Sequence, residues 1–294
     1  MELLTSPHNP RVKRWAALKE RKHREKTGLY AAEGVLLVRE YLDAGAAIET
    51  VLFDTFGAKG EAALELAERA QERGIPVVEL TSSVFAYVAD TDHPQGVLAI
   101  VRRPPATLSA ALGEAVRPER ATDLPARDGR GITAEPGAVA ATGCADVVLV
   151  ADGVRDPGNL GAMLRTAQAV GCRVVIVTDG SVDPHNPKVV RASMGALAKV
   201  TVVQASAKAA AEQLLADGFT LLGADARATS TLFQTPLRRR TAVAVGAEAD
   251  GLSAELRDRC SGLFSLPMPG GAESLNAGTA AAVVLYEALR QRMI

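Results

Sequence analysis

Little in this chain advertises a disulfide scaffold, a metal or a membrane. Cysteine is scarce: Cys144, Cys172 and Cys260 are an odd number, widely separated and without a CxxC pair. That argues against a disulfide framework and a zinc site and leaves buried, reduced thiols as the expectation. His8, His23, His93 and His185 are isolated, and none stands near a serine or cysteine in a recognisable nucleophile motif. No stretch approaches the roughly 18 consecutive apolar residues that a membrane helix needs, and the opening MELLTSPHNPRVKRW lacks the apolar core of a secretion signal. A soluble, cytoplasmic protein that uses no metal is expected. Also missing are a Gly-x-Gly-x-x-Gly after the first strand of the C-terminal half and any Walker sequence, so a nicotinamide dehydrogenase is disfavoured.

Net charge is nearly absent as well, at −1, so the chain as a whole does not attract phosphate. Its distribution says more. Between Arg11 and Lys26 stand Arg11, Lys13, Arg14, Lys19, Arg21, Lys22, Arg24 and Lys26, against only Glu20 and Glu25. This local excess reads equally as a phosphate-attracting patch or a solvated helix face. On the first reading Arg11, Lys13, Arg14 and Lys22 are candidate RNA contacts. Trp15, the single tryptophan, has the chemistry to stack on a base. Val12, Trp15 and Leu18 nevertheless recur at helical spacing, which favours a buried anchor.

At 294 residues the chain has room for about two domains. Residues 1–103 read as a small α/β domain: a strand or turn entering a helix over 31–41, a strand over 49–53, an amphipathic helix over 59–73 stopped by Gly74, and strands over 76–80 and 96–102. Residues 104–143 carry Pro104-Pro105 and a charged, Gly- and Pro-containing stretch without sustained period, and read as a flexible linker. Residues 144–294 alternate strands and helices as a mostly parallel sheet does. Strands are expected over 146–151, 173–178, 199–204, 220–224, 241–245 and 263–266. Helices are expected over 160–170, 207–216, 253–259 and 277–292.

Three polar turns at strand ends carry the chemistry. The first, Asn159-Leu-Gly-Ala-Met-Leu-Arg165, opens a helix; Asn159 sits where an N-cap belongs, while Arg165 lies one turn inside on the polar side. The second, Gly246-Ala-Glu248-Ala-Asp-Gly-Leu252, offers a glycine that lets a ligand approach the backbone and a carboxylate. The third, Leu266-Pro-Met-Pro-Gly-Gly-Ala-Glu-Ser274-Leu-Asn276, leads into a helix rich in small residues, for which Ser274 and Asn276 are candidate caps. Open α/β sheets bind ligands at this edge.

In this order the three segments resemble the signature motifs of the SpoU (TrmH-type) RNA ribose 2′-O-methyltransferases, of the SPOUT class. The resemblance implies a fold with a deep trefoil knot, a homodimer, and S-adenosylmethionine as cofactor. Thr5–Lys13, Ala32–Val38 and His93–Ala99 similarly resemble the L30e-like substrate-binding domain that precedes many such catalytic domains. By this resemblance Asn159, Arg165, Glu248, Ser274 and Asn276 form the catalytic site, and Gly246, Leu266, Met268, Leu275 and Asn276 hold the cofactor, largely through backbone groups. Asp183–Gly195 looks like a further family loop, with Lys188 and Arg191 as candidate phosphate contacts.

Two departures from the common family pattern stand out: Ala247 replaces an asparagine, and Ala277-Gly278 replaces Val-Ser. Arginine is effectively never deprotonated, so Arg165 is expected to hold phosphate and ease formation of a 2′-alkoxide rather than to act as a free base. The implied substrate is structured RNA, with 23S ribosomal RNA preferred. A transfer-RNA methyltransferase, an antibiotic-resistance ribosomal RNA methyltransferase and a non-catalytic RNA-binding protein of the same fold remain as alternatives.

Overall fold

The computed structural model describes residues 2–57, 59–116, 143–238 and 240–293. It divides into two compact units, Met1–Pro105 with Asp183–Lys199, and Ala106–Val182 with Val200–Ile294. No helix among the described residues is long and apolar enough to cross a membrane.

The first unit is built on a five-stranded sheet of β1 (Glu2–Leu4), β2 (Leu29–Glu33), β3 (Ile48–Phe53), β4 (Val77–Leu80) and β5 (Val97–Arg102). Their order is β1-β4-β3-β5-β2, with β1, β4 and β3 mutually parallel and β5 antiparallel to both neighbours. The helix Pro10–Ala16 starts where Asn9 accepts from the Arg11 N–H and Pro10 supplies a preset φ. Its apolar face buries Val12 and Trp15, which join Leu18, Leu80 and Phe85 in one core. Trp15 is therefore an anchor and not a stacking platform.

The segment Asp183–Lys199 belongs to this same unit. Its stretch Asp183–Gly195, expected as a loop, contains the helix Pro187–Ala192, which Asn186 caps by accepting from the Lys188 N–H. Also unforeseen are β1 and the helix Ser82–Val88.

The second unit holds β6 (Val147–Asp152), β7 (Val174–Thr178), β8 (Thr201–Ala205), β9 (Thr220–Ala224), β10 (Thr241–Gly246) and β11 (Gly262–Phe264). They run in the order β11-β9-β10-β6-β7-β8, and every pairing is parallel. Strands β6 and β7 are buried along their whole length, as their apolar runs require. The helix Pro157–Val170 packs against the C-terminal helix Ala277–Met293. Close approach is permitted by Gly278: a Cβ there would lie 3.1 Å from the Ala162 Cβ. The departure from the family pattern at 278 thus has a packing reason in this chain.

The expected linker begins differently. Leu108–Val116 is a helix whose Ala111, Leu112 and Ala115 are buried with Val174, Ile176 and Val203. Its apolar residues recur at i, i+3, i+4 and i+7, but over barely two turns flanked by Pro- and Gly-containing sequence, too short a pattern to stand out. Residues 117–142, the rest of the expected linker, lie outside the described residues.

Candidate active site

The ends of β6 and β10 are level: Gly246 is the register partner of Asp152. After β6 the chain turns through residues 153–156 into the helix Pro157–Val170. The cap of that helix is Asp156, whose carboxylate accepts from the Asn159 N–H at 2.8 Å. Asn159 is therefore not the N-cap expected from sequence. It lies in the first turn, and its side chain is left available for contacts across the sheet edge.

Those contacts bring the three motifs together. Asn159 Nδ2 donates to Glu248 Oε1 at 2.9 Å, and Asn276 Nδ2 donates both to the same Glu248 oxygen at 2.7 Å and to Asn159 Oδ1 at 2.6 Å. The Ala277 N–H adds a third bond to Glu248 Oε1 at 3.2 Å. Asn276 also caps the C-terminal helix, its Oδ1 accepting from the Thr279 N–H at 3.1 Å and the Thr279 hydroxyl at 3.4 Å. Both hydrogens and the oxygen of its amide are thereby engaged. What remains for a ligand is Glu248 Oε2 and the second Asn159 amide hydrogen, neither bonded among the described residues. A carboxylate oxygen beside an amide donor can accept a hydroxyl proton or stand against a positive charge.

The loop carrying Glu248 is closed on itself. Ala247 and Gly251 exchange backbone hydrogen bonds at 3.1 and 2.8 Å. Gly246 is pressed against that closure: a Cβ there would lie 2.1 Å from the Gly251 carbonyl carbon and 2.5 Å from the Leu252 nitrogen. Only glycine fits. Because residue 247 uses its backbone in the closure, alanine satisfies that position structurally.

Arg165 stands apart from this cluster. It lies six residues beyond Asn159 on the same helix, roughly 9 Å along the axis, two turns in rather than one. The side chain is exposed and makes no hydrogen bond or ion pair among the described residues. Ser274 is likewise exposed and unbonded there. Leu266 and Met268 are partly buried, and Leu275 is exposed. Leu266 falls beyond β11, which ends at Phe264.

S-adenosylmethionine fits the donor set present. The N–H groups of Leu266, Met268 and Leu275 form no hydrogen bond among the described residues. Gly251, Gly270 and Gly271 border open space. Unused backbone donors beside apolar side chains suit the edge and face of a purine.

The candidate RNA contacts belong to the first unit. Lys13 and Lys22 are exposed, whereas Arg11 pairs with Glu2 at 2.6 Å while lying over the Trp15 ring, and Arg14 pairs with Glu49 at 3.2 Å. Arg191 pairs with Asp90 at 2.7 Å and is half-buried. Arg24, counted with the basic patch on sequence, is buried and bonds to Asp183 through Nε at 2.9 Å and Nη2 at 2.6 Å. Next to this pair His185 packs against the Tyr30 ring; its Nδ1 stands 3.7 Å from Asp183 Oδ1 and has no hydrogen-bond partner among the described residues. Burial lowers the His185 pKa, aided by the charges of Arg103 and Arg24 and opposed by Asp183. Burial alone would raise Asp183, but its contacts with His185 and Arg24 win and hold it well below the usual carboxylate range. The thiols are inert: burial pushes Cys144 and Cys260 up to about 11 and Cys172 to about 12.

A parallel α/β sheet whose C-terminal edge gathers these three motifs defines a methyltransferase of the SPOUT kind. Residues 146–286 match the SpoU rRNA Methylase family and residues 9–99 the MRM3-like substrate binding domain. The chain is 29% identical to the 23S rRNA (guanosine(2553)-2′-O)-methyltransferase RlmP of Bacillus subtilis, over 97% of this chain and 98% of that one. It is 33% identical to the 23S rRNA (guanosine-2′-O-)-methyltransferase RlmB of Xanthomonas axonopodis pv. citri, over 81% and 86% of the two chains. The AdoMet-bound rRNA methyltransferase of Sinorhizobium meliloti superimposes with a TM-score of 0.77 at 27% identity, covering 98% of this chain and 97% of that one. The chain belongs to the SpoU RNA methylase family, and its cofactor is S-adenosylmethionine.

Proposed function

We propose that this enzyme methylates a ribose 2′-hydroxyl in 23S ribosomal RNA. The observation that carries the proposal is the single hydrogen-bonded cluster in which Asn159, Glu248 and Asn276 join three motifs from distant parts of the chain. The substrate class is supported by the relatives, two of which are named for 23S rRNA guanosine 2′-O-methylation.

When bound, S-adenosylmethionine supplies an activated methyl group, so alignment and charge stabilisation are the tasks left to the protein. Backbone groups of Gly246, Leu266, Met268 and Leu275 hold the adenosine, with Asn276 at the join between the cofactor and catalytic sites. Arg165, exposed and unpaired among the described residues, grips the phosphate of the target nucleotide and eases charge development on the 2′-oxygen. Ser274 and the free oxygen of Glu248 shape the pocket. Arg11, Lys13, Arg14 and Lys22 track the RNA backbone, and Arg191 reaches phosphate only if its pairing with Asp90 opens.

Three further features belong to this proposal. The first unit is an L30e-like RNA-binding domain, supported by its match to a substrate-binding family. The C-terminal segment is knotted; its support is that the chain after β11 returns to bond with both Asn159 and Glu248. The enzyme is a cytoplasmic homodimer, supported by exposed Val283, Tyr286 and Met293 along one side of the C-terminal helix.

The test is methyl transfer from labelled S-adenosylmethionine to 23S ribosomal RNA and to transfer RNA, with mapping of the modified ribose. Wild type should label 23S RNA at one ribose, and Arg165→Ala should not. Labelling of transfer RNA alone would overturn the substrate, and cofactor binding without any transfer would favour a non-catalytic RNA-binding protein. Sedimentation showing a fully active monomer would overturn the dimer.

A further inference from the structure

We infer that Asp152 is a positioning residue for the cofactor, acting through the backbone of Ser253. The inference rests on the reading of the second unit as an S-adenosylmethionine-dependent enzyme. Asp152 is the last residue of β6 and is almost wholly buried. No basic side chain pairs with it among the described residues; its carboxylate is instead divided between two neighbours. Oδ1 accepts from the Thr178 hydroxyl at 2.7 Å, and Oδ2 accepts from the Ser253 N–H at 2.6 Å. The Thr178 hydroxyl in turn accepts from the Gly153 N–H at 3.0 Å.

These bonds tie together the ends of three adjacent strands. Thr178 closes β7, Gly153 opens the loop that leads to Asn159, and Ser253 is the first residue after the loop Gly246–Leu252. That loop is held at its base by the Ala247–Gly251 pair and by the close approach of Gly246, and on its outer side by Glu248. Its exit is anchored by the buried Leu252 side chain, and the Asp152 bond to the next N–H fixes the direction of the backbone there. A buried carboxylate without a counter-charge is costly unless its hydrogen bonds compensate. Here the two bonds fix the exit of one ligand-bearing loop against the entry of the other.

Asparagine can preserve this arrangement. Its oxygen would take the Ser253 N–H, its amide would donate to the Thr178 hydroxyl, and that hydroxyl can redirect its own proton to the Asp179 carbonyl, 3.5 Å away. Alanine preserves neither bond. Affinity for S-adenosylmethionine should therefore fall roughly tenfold or more in Asp152→Ala and stay within about twofold of wild type in Asp152→Asn. Turnover at saturating cofactor should change little in either, because the residue does not touch the reacting atoms.

Calorimetric binding and the split between KM for S-adenosylmethionine and kcat, on the full chain, measure this. If Asp152→Ala fails to fold, Ser253→Pro and Ser253→Ala replace it. Ser253 has φ −57°, which proline shares, so proline deletes the N–H and sets its ring carbon against Asp152 Oδ2, breaking the tie; both variants lose the Ser253 cap on the Leu256 N–H. Weaker cofactor binding in Ser253→Pro but not in Ser253→Ala is expected. The inference is overturned if folded Asp152→Ala binds cofactor as wild type does, if Asp152→Asn is as impaired as Asp152→Ala, or if the two Ser253 variants bind equally. Wild-type protein that neither binds S-adenosylmethionine nor methylates RNA would instead overturn the methyltransferase reading beneath it.

Discussion

Replacing Arg24 by methionine tests the energetics of the first unit. The guanidinium makes two bonds to Asp183 Oδ2 and donates through Nη1 to the Leu18 and Lys19 carbonyls, each at 2.8 Å. Its side chain is 2% exposed and that of Asp183 7%. Methionine fills similar volume but leaves Asp183 as a buried carboxylate held, among the described residues, only by the backbone N–H of His185 at 2.9 Å. Breaking one side of a buried pair costs about 3–5 kcal/mol, which lowers Tm by on the order of 10 °C. Adding Asp183→Asn removes the stranded charge and should recover most of that loss, to within roughly 1–2 kcal/mol of wild type. Trp15, the only tryptophan and a core residue of this unit, makes urea titration followed by tryptophan emission a reporter of the first unit alone. A cost below about 1 kcal/mol for Arg24→Met, or strictly additive effects of the two substitutions, would refute the reasoning.

Further outcomes follow from the same geometry. Both His185 and Asp183 have folded pKa values below their ordinary 6.5 and 3.8. An unfolded chain therefore binds protons that the folded one refuses. Stability of the first unit should be flat above pH 7, fall as pH drops through 6.5, and fall again below about 4; a urea midpoint that rises between pH 8 and pH 5.5 would contradict this. Glu248→Ala strands three donors and should lower kcat/KM for methyl transfer by tenfold to a hundredfold, roughly, while Glu248→Gln keeps an acceptor oxygen and should lose under about tenfold. Equal losses would show that the hydrogen bonds are not what matters. Gly246→Ala forces apart a closure in which a Cβ has only 2.1 Å, so calorimetry should show S-adenosylmethionine binding at least about tenfold weaker. Unchanged affinity would remove that loop from the cofactor site.

Much of the second unit was legible because its signals are local. The strand Thr220–Ala224 and the helix Ala207–Ala216 fall where the apolar pattern places them. The helix starts at the Ser206 cap, whose side chain accepts from the Ala209 N–H, and Gly218 follows it in the left-handed region. The helix Leu108–Val116 and the three-residue β1 were missed because so short a period cannot be told from loop. At the site, residue types and motif order pointed to Asn159, Glu248 and Asn276. Nothing local could show that one glutamate oxygen receives both amides, since that depends on strand ends brought level by a sheet whose order is not the chain order.

The division follows from range. Hydrophobic period, caps and glycine punctuation act over a few residues, so the sequence by itself determined a parallel α/β architecture, the order of the three turns and the family to which they belong. Which polar group ends up beside which is a long-range matter. Arg24 reads as one more member of a basic patch until folding places it 159 positions away from its partner in sequence but 2.6 Å from Asp183 in space. Asn159 reads as a helix cap until Asp156 takes that role. Only tertiary structure separates a solvated charge from a buried pair, because the free energy of a charge depends on what surrounds it.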